Sequence, residues 1–349
     1  MVKKLLKIFG GLLGLALFLF ILLFAYLWIN EYRPQQVEQL SISQNSDDIL
    51  EKDKDYKITT WNIGYGGLDK DTDFFMDGGK MVYPISKNHV EKALDGILSS
   101  IKHIDSDFNL IQEMDENSSR TYGINEVKMF RDNLSGDSIF AYNYKVKYVP
   151  YPFPPLGRMN SGIFTQTSYK INKAFRYQQP IPHKFPTRLA NLKRGFTVSY
   201  MDIKDTDKKL VLINVHLDAY ESGNNGRIAQ IKQIFKFIQK EYDAGNYVIV
   251  GGDFNQELRK GYKPNRLSAF WNPSDFPHEL FPKDFKLVYG DNVNSSRLNN
   301  TPYNPNDSYE CIIDGFIVSK NVSVKNIQVQ DLGFVNSDHN PVTMNFTLK

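Results

Sequence analysis

The chain has 349 residues, 41% apolar and 23% charged, a globular balance that excludes a disordered or fibrous protein. A formal net charge of +3 provides no broad basic surface for following a nucleic-acid backbone. The single cysteine, Cys311, excludes an internal disulfide, a Cys-based zinc site and CxxC redox chemistry.

In chain order, the first predicted element is an apolar helix over Ile8–Ile29, which contains no charged residue. At 1.5 Å per residue it would span roughly 33 Å, one hydrocarbon core. Lys3, Lys4 and Lys7 precede it, Glu31 and Arg33 follow, and Tyr26 and Trp28 fall where interfacial aromatics collect. The positive-inside rule then puts residues 1–7 in the cytoplasm and the remainder outside the cell membrane. A cleaved signal peptide is the alternative; the run is long for one, and no A-x-A-like site follows. Residues 30–55 are polar, with Pro34 and a "QNSDD" cluster, and are predicted as a juxtamembrane linker. Residues 56–349 carry no composition shift and no visible repeat, which predicts one domain.

Within that domain, short β-branched runs predict strands: "YKITTWNI", "FNLIQEM", "SGIFTQT", "GFTVSYMDI", "KLVLINVHL", "NYVIVGGDFN", "CIIDGFIVS" and "NPVTMNFTL". Two stretches predict amphipathic helices. "KNHVEKALDGILSSIK" aligns Val90, Leu94, Ile97, Leu98 and Ile101; "GRIAQIKQIFKFIQKEY" aligns Ile228, Ile231, Ile234, Phe235 and Ile238. Many strands with a few helices between them predict an α/β fold of two packed sheets flanked by helices.

Polar residues end many of the strands: Asn62, Glu113, His216, Asp253 with Asn255, Asp314, and Asp338-His339. Strand ends converge at a sheet edge, so these carboxylates, amides and histidines are expected together. Carboxylate and amide oxygens suit a hard cation such as Mg²⁺. Histidines beside it can stabilise or protonate phosphate oxygens. Each residue also has an ordinary reading as a turn, a charged strand end or a core histidine. The two glycines before Asp253 are expected to let a buried strand turn tightly at the cleft.

The ordered series "TTWNI", "LIQEMD", "NVHLDA", "GGDFN", "IIDGFIVS" and "SDHNPV" resembles the endonuclease/exonuclease/phosphatase superfamily. That group includes DNase I-like nucleases, abasic-site endonucleases, inositol polyphosphate 5-phosphatases and bacterial sphingomyelinases. The resemblance covers Lys57 to Leu348. It implies a DNase I-like four-layer α/β sandwich of two mainly antiparallel sheets, and divalent-metal-dependent phosphoester hydrolysis by a catalytic domain at residues 56–349. Residue by residue, it implies metal-side positions at Asn62, Glu113 and Asp338, with Glu113 the main ligand of Mg²⁺ (or Mn²⁺ or Ca²⁺). His216 would contact a phosphate oxygen and could serve as general acid. Asp253 would orient or deprotonate water, and Asn255 would hold the phosphate. Asp314 would orient the catalytic His339, and the base is either Asp253 or His339. Asn160, in "RMNSGIFTQ", would sit where an amide approaches the phosphate. Arg120, Arg227 and Gln230 are expected to be structural.

Three stretches lie outside the shared motifs. "YGGLDKDTDFFMDGGKMVYP" predicts a substrate-shaping loop rather than a calcium site. "YVPYPFPPLGRMN" is an aromatic, proline-rich loop that either dips into lipid or packs on its own domain. "HKFPTRLANLKRG" is basic, a cradle for an anionic headgroup or nucleic-acid backbone, or a solvated face. The reading is a monomeric, membrane-anchored, outward-facing hydrolase of a lipid or envelope phosphoester. The alternatives are an extracellular nuclease acting on DNA or RNA, and a non-catalytic binding module.

Overall fold

The structure, a computed structural model, describes residues 1–43, 46–219, 225–264 and 268–349. The apolar run is helical over Val2–Ile29 (α1). Among the described residues it is the one helix long and apolar enough to cross a membrane.

The segment expected as a linker instead lies along the domain, apart from Gln44 and Asn45, which fall outside the described residues. Val37–Gln39 (β1) pairs with Phe175–Tyr177 as an antiparallel edge strand. Ser43 bridges to Ser138 and Leu50 to Ile203. Leu40, Ile42 and Leu50 pack onto the core, which explains how a polar stretch is held: a few spaced apolar residues suffice.

The other strands of the two large sheets are Tyr56–Asn62 (β2), Phe108–Asp115 (β3), Asp137–Val149 (β4), Gly157–Thr167 (β5), Lys173–Gln178 (β6), Gly195–Asp202 (β7), Lys209–His216 (β8), Tyr247–Asp253 (β9), Phe285–Val288 (β10), Asp314–Ser319 (β11), Val322–Val329 (β12) and Val342–Leu348 (β13). The helices after α1 are Lys87–Ile104 (α2), Glu126–Asn133 (α3) and Asn225–Asp243 (α4). One sheet has seven strands in the order β1-β6-β7-β8-β9-β11-β10; the other has six, in the order β12-β13-β2-β3-β5-β4.

Each sheet is antiparallel except for one inner pair. β2 and β3 run parallel, joined through α2; β8 and β9 run parallel, joined through α4. Parallel neighbours require such a crossover. The domain is thus built on the same strand–helix–strand device used twice, a repeat of topology that leaves no repeat in sequence. Asn62, His216 and Asp253 are the last residues of β2, β8 and β9, and Glu113 lies near the end of β3.

Strand alternation sorts the core into layers. Ile58, Leu110, Leu212, Ile249, Phe316 and Met344 pack between the sheets. Trp61, Ile111 and Phe164 face α2 and α3, meeting Leu94, Ile97 and Phe130. Val211, Val248 and Val250 face α4, meeting Ile231, Ile234 and Ile238. With both faces of β9 buried, its run is continuously apolar rather than alternating. The result is the expected four-layer sandwich.

Beneath the strand ends the sheets are joined by side-chain amides. Gln112 Nε2 donates to Asn214 Oδ1 at 2.8 Å, and Asn214 Nδ2 donates to the Phe164 carbonyl at 2.9 Å. All of this is buried, so an unpaired amide there would cost about 1–3 kcal/mol. That fixes the two strand pairs against one another below the residues they present.

Candidate active site

β9 does not turn at its glycines; it runs on to Asp253. A Cβ on Gly252 would lie 2.0 Å from the Val215 carbonyl oxygen of β8, and one on Gly251 would lie 2.7 Å from Leu110 and Phe316. The glycines therefore serve close approach of a strand and of the facing sheet, not chain reversal. After Asp253 the chain bends at Asn255, whose φ is 50° and whose N–H donates to Asp253 Oδ1 at 2.8 Å.

Glu113 is presented by a different local device. The β3–β5 register slips between Ile111 and Met114, and Glu113 takes a φ of 55° in that bulge. A bulge of this kind re-aims a side chain and terminates pairing. The Glu113 side chain is 26% exposed and faces the cavity.

The strand ends meet around Asp253. Asn62 Nδ2 donates to Asp253 Oδ2 at 3.0 Å and to Glu113 Oε1 at 3.2 Å. His216 Nε2 lies 3.4 Å from Asp253 Oδ2 and 3.8 Å from Glu113 Oε1. β11 pairs with β9 so that Asp314 is directly opposite Asp253. Asp314 Oδ2 is 2.8 Å from His339 Nδ1 and accepts the Ser295 hydroxyl at 2.8 Å. His339 Nε2 lies 3.2 Å from Ser296 Oγ and 3.9 Å from Asp253 Oδ2. Asp338 accepts from Asn299 Nδ2 at 2.6 Å. Asn255 Nδ2 donates to the Leu217 carbonyl at 2.8 Å.

Burial and neighbouring charges set these groups apart. Burial, reinforced by the Asp314 charge, pushes Asp253 up to about 7. Burial works against a charge on His339, but Asp314, Asp338 and Asp253 outweigh it and hold the ring up at about 10. Burial, with Arg194 and His339 nearby, drives His216 well below the ordinary histidine value. These shifts favour the imidazolium at His339 and the neutral imidazole at His216.

Asn160 stands apart from this group. Its backbone N–H donates to Ser118 Oγ at 2.9 Å, and its carbonyl takes the Glu116 N–H at 2.7 Å. Met159, Ser161 and Gly162 line the cavity, and Asn160 does not. Arg120 holds Asp115 at 2.9 Å through two hydrogen bonds and stacks 3.4 Å from the Tyr65 ring centroid. Arg227 donates to the Ala219 carbonyl at 2.8 Å, and the Asp218 N–H donates to Gln230 Oε1 at 3.2 Å, so both residues hold the loop after β8. The segment Ser295–Asn299 was missed from sequence. Ser295, Ser296 and Asn299 hold Asp314, His339 and Asp338, and Arg297 lines the cavity. Its polar "NSSRLN" carries no periodicity, and its partners lie up to 228 residues away.

Asn62, Glu113, His216, Asp253, Asn255, Asp338 and His339 line one end of a cavity of about 580 Å³. Loop residues Phe74, Phe75 and Met76 form one wall. The aspartates of that loop do not converge on a cation: Asp73 caps the Lys80 and Met81 N–H groups, and Asp77 accepts the Asn299 N–H.

The family model for the endonuclease/exonuclease/phosphatase family 2 matches residues 99–295. The chain belongs to that family. No curated protein matches the sequence. Among solved structures, an endonuclease/exonuclease/phosphatase from Beutenbergia cavernae is 14% identical, with a TM-score of 0.58 over 84% of this chain and 72% of the other. One from Bacteroides vulgatus is 18% identical, with a TM-score of 0.53 over 85% and 100%. Truncated TDP2 from Caenorhabditis elegans is 14% identical, with a TM-score of 0.51 over 85% and 99%. At such identities these structures speak to the fold, which is the DNase I-like sandwich.

A divalent ion fits this family site by its donor chemistry. Glu113, Asn62 and Asp338 offer carboxylate and amide oxygens, the donors a hard cation takes. Burial and the Asp338 charge raise Glu113, a repulsion that a cation offsets. A second group, Asp253, Asp314 and His339, brings three ligand atoms within 4.8 Å. There, however, Asp314 and His339 already bond to one another, the arrangement by which a carboxylate orients a ring.

Proposed function

We propose that this family member is a divalent-metal-dependent phosphoester hydrolase, anchored by α1 with its catalytic domain on the outer face of the cell membrane. Its substrate would be a lipid or envelope phosphoester. The observation that carries the reading is the convergence of Asn62, Glu113, His216, Asp253 and His339 from both sheets onto one cavity, with Asp314 bonded to His339 Nδ1. Lys3, Lys4 and Lys7, in the first turns of α1 and ahead of its charge-free stretch Ile8–Ile29, support the orientation.

Glu113, Asn62 and Asp338 would hold the ion, Mg²⁺ by its oxygen donors, and when bound it supplies positive charge to the phosphate oxygens. Asp253, with Asn62 on Oδ2 and the Asn255 N–H on Oδ1, is positioned to take a proton from an attacking water. Water oxygen bonds to phosphorus, the phosphorus–oxygen bond to the leaving group breaks, and the leaving oxygen takes up a proton from solvent. His339, charged and oriented by Asp314, stabilises negative charge on the phosphoryl oxygens, and His216 donates a hydrogen bond to them. With His339 protonated, Asp253 is the base.

The test is a panel assay on the full chain in detergent micelles. A soluble phosphodiester, a soluble phosphomonoester, plasmid DNA and phospholipid are each offered with Mg²⁺, Mn²⁺, Ca²⁺ or EDTA. Turnover of a phosphoester that EDTA abolishes supports the reading. Cleavage confined to plasmid makes the protein a nuclease; turnover of nothing makes it a binding module.

A further inference from the structure

α1 does more than tether the domain. Phe20, Phe24 and Leu27, spaced i, i+4, i+7 on one helical face, line the same cavity as Asp253 and His339. Phe24 packs against Phe185 at 5.5 Å between ring centroids, and Trp28 against the same ring at 6.5 Å. The junction below is fixed. Glu31, two residues past the helix, is buried and pairs with Lys193 at 2.6 Å and Arg188 at 3.3 Å. Lys193 also donates to the Tyr32 carbonyl at 2.8 Å.

The depth of these residues follows from helix geometry. Phe24 lies roughly 8 Å and Phe20 roughly 14 Å along the axis from Ile29, inside the hydrocarbon half-thickness of about 15 Å if α1 spans a bilayer. Phe185 packs at that depth. Tyr151 and Phe153, on the loop between β4 and β5, are 70% and 95% exposed, surfaces that water disfavours and acyl chains do not. The cavity is therefore polar and phosphate-suited at the sheet edges and apolar where it meets the anchor.

We propose that the substrate is a lipid phosphoester whose acyl chain lies along Phe20, Phe24, Leu27 and Phe185 while its phosphate reaches Asp253 and His339, so that the anchor helix is a wall of the substrate site. This rests on the hydrolase reading above and narrows its substrate class. A lipid is the ligand that carries a phosphoester at one end and requires hydrocarbon surroundings at the other. A water-soluble envelope phosphoester or a nucleic acid has no use for the apolar end.

The experiment compares three substrates on the full chain in nanodiscs: a long-chain lipid phosphodiester, its short-chain analogue and a soluble aryl phosphodiester. The wild type turns over the long-chain lipid at least about tenfold faster than the short-chain analogue. Phe24→Ala with Phe185→Ala lowers the ratio of long-chain to soluble turnover about tenfold, the loss expected for removing two large apolar contacts. Leu22→Ala, on the exposed opposite face of α1, leaves that ratio unchanged. A lipid with a photoreactive group at its chain end labels the peptide carrying Phe20–Leu27 or the one carrying Phe185, a readout independent of turnover. Soluble turnover with no chain-length preference, or labelling confined to other peptides, overturns this inference alone. Turnover of none of the three overturns the hydrolase reading and this inference together.

Discussion

At one end of the cavity, Asn62, Asp253, Asp314 and His339 are buried, and each is held by at least one hydrogen bond from another strand or loop. At the other end Phe20 and Tyr151 line the cavity, with Phe153 and Phe185 beside them; all four are more than half exposed and held by ring contacts or none. The polar end is arranged to keep charges at fixed distances, which a transition state requires. The apolar end needs no fixed geometry, because burial of apolar surface is not directional. Substitutions at the two ends should therefore fail differently: loss of rate on every substrate at the polar end, loss of selectivity or stability elsewhere.

The largest expected effect is at the centre of the polar end. Asp253→Asn keeps the shape but removes the proton acceptor. Turnover should fall by about 10²–10⁴-fold on soluble and lipid phosphoesters alike, read from steady-state rates. Asp314→Asn comes next, since Asp314 acts through His339. The imidazolium is present below its pKa and lost as pH rises through it. Removing the main charge that holds the ring at about 10 should bring the alkaline fall of kcat/KM toward neutral pH. A profile that keeps its alkaline limb would mean that Asp314 does not set the charge of His339.

At the junction between the two ends, Glu31→Ala leaves Lys193 buried beside Arg188 without its carboxylate. The cost is about 3 kcal/mol, a fall in Tm of several degrees by calorimetry, with chemistry on a soluble diester little changed. The smallest effect concerns Glu126, which is buried, with Oε1 unpartnered and Oε2 accepting the Asp115 N–H at 2.8 Å. Burial and the Asp115 charge raise its pKa well above the usual carboxylate value. The folded state then binds more protons than the unfolded one above about pH 4.5, so this residue subtracts stability as pH rises. Glu126→Gln should match the wild type near pH 4 and be the more stable of the two at pH 8, measured by denaturant titration.

The polar end was largely legible in the sequence, and the apolar end was not. Asn62, Glu113, His216, Asp253 and Asp314 each stand at the end of a short apolar run, and adjacent strands bring such ends together. Along β5 the cavity is lined by Met159, Ser161 and Gly162, while the Asn160 backbone is tied to Ser118 and Glu116. Gly251 and Gly252 were read as a turn because nothing local reveals that Val215 passes within contact. The basic stretch at 183–195 was read as a headgroup cradle or open face. In the structure Arg188 and Lys193 hold Glu31, and Arg194 holds Asp218 at 2.9 Å while also lining the cavity. The Glu31 pairings join residues more than 150 positions apart, and no spacing rule announces them.

The central claim is that the strand ends around Asp253 form a metal-dependent phosphoester hydrolase site. The most direct measurement is the rate of soluble phosphodiester hydrolysis by the full chain, stripped with EDTA and titrated with Mg²⁺, beside folded Asp253→Asn and His339→Ala. The account predicts turnover that returns with the ion in the wild type and stays at least about a hundredfold lower in both variants. Wild-type turnover indifferent to the ion, or variants as active as the wild type, would contradict it.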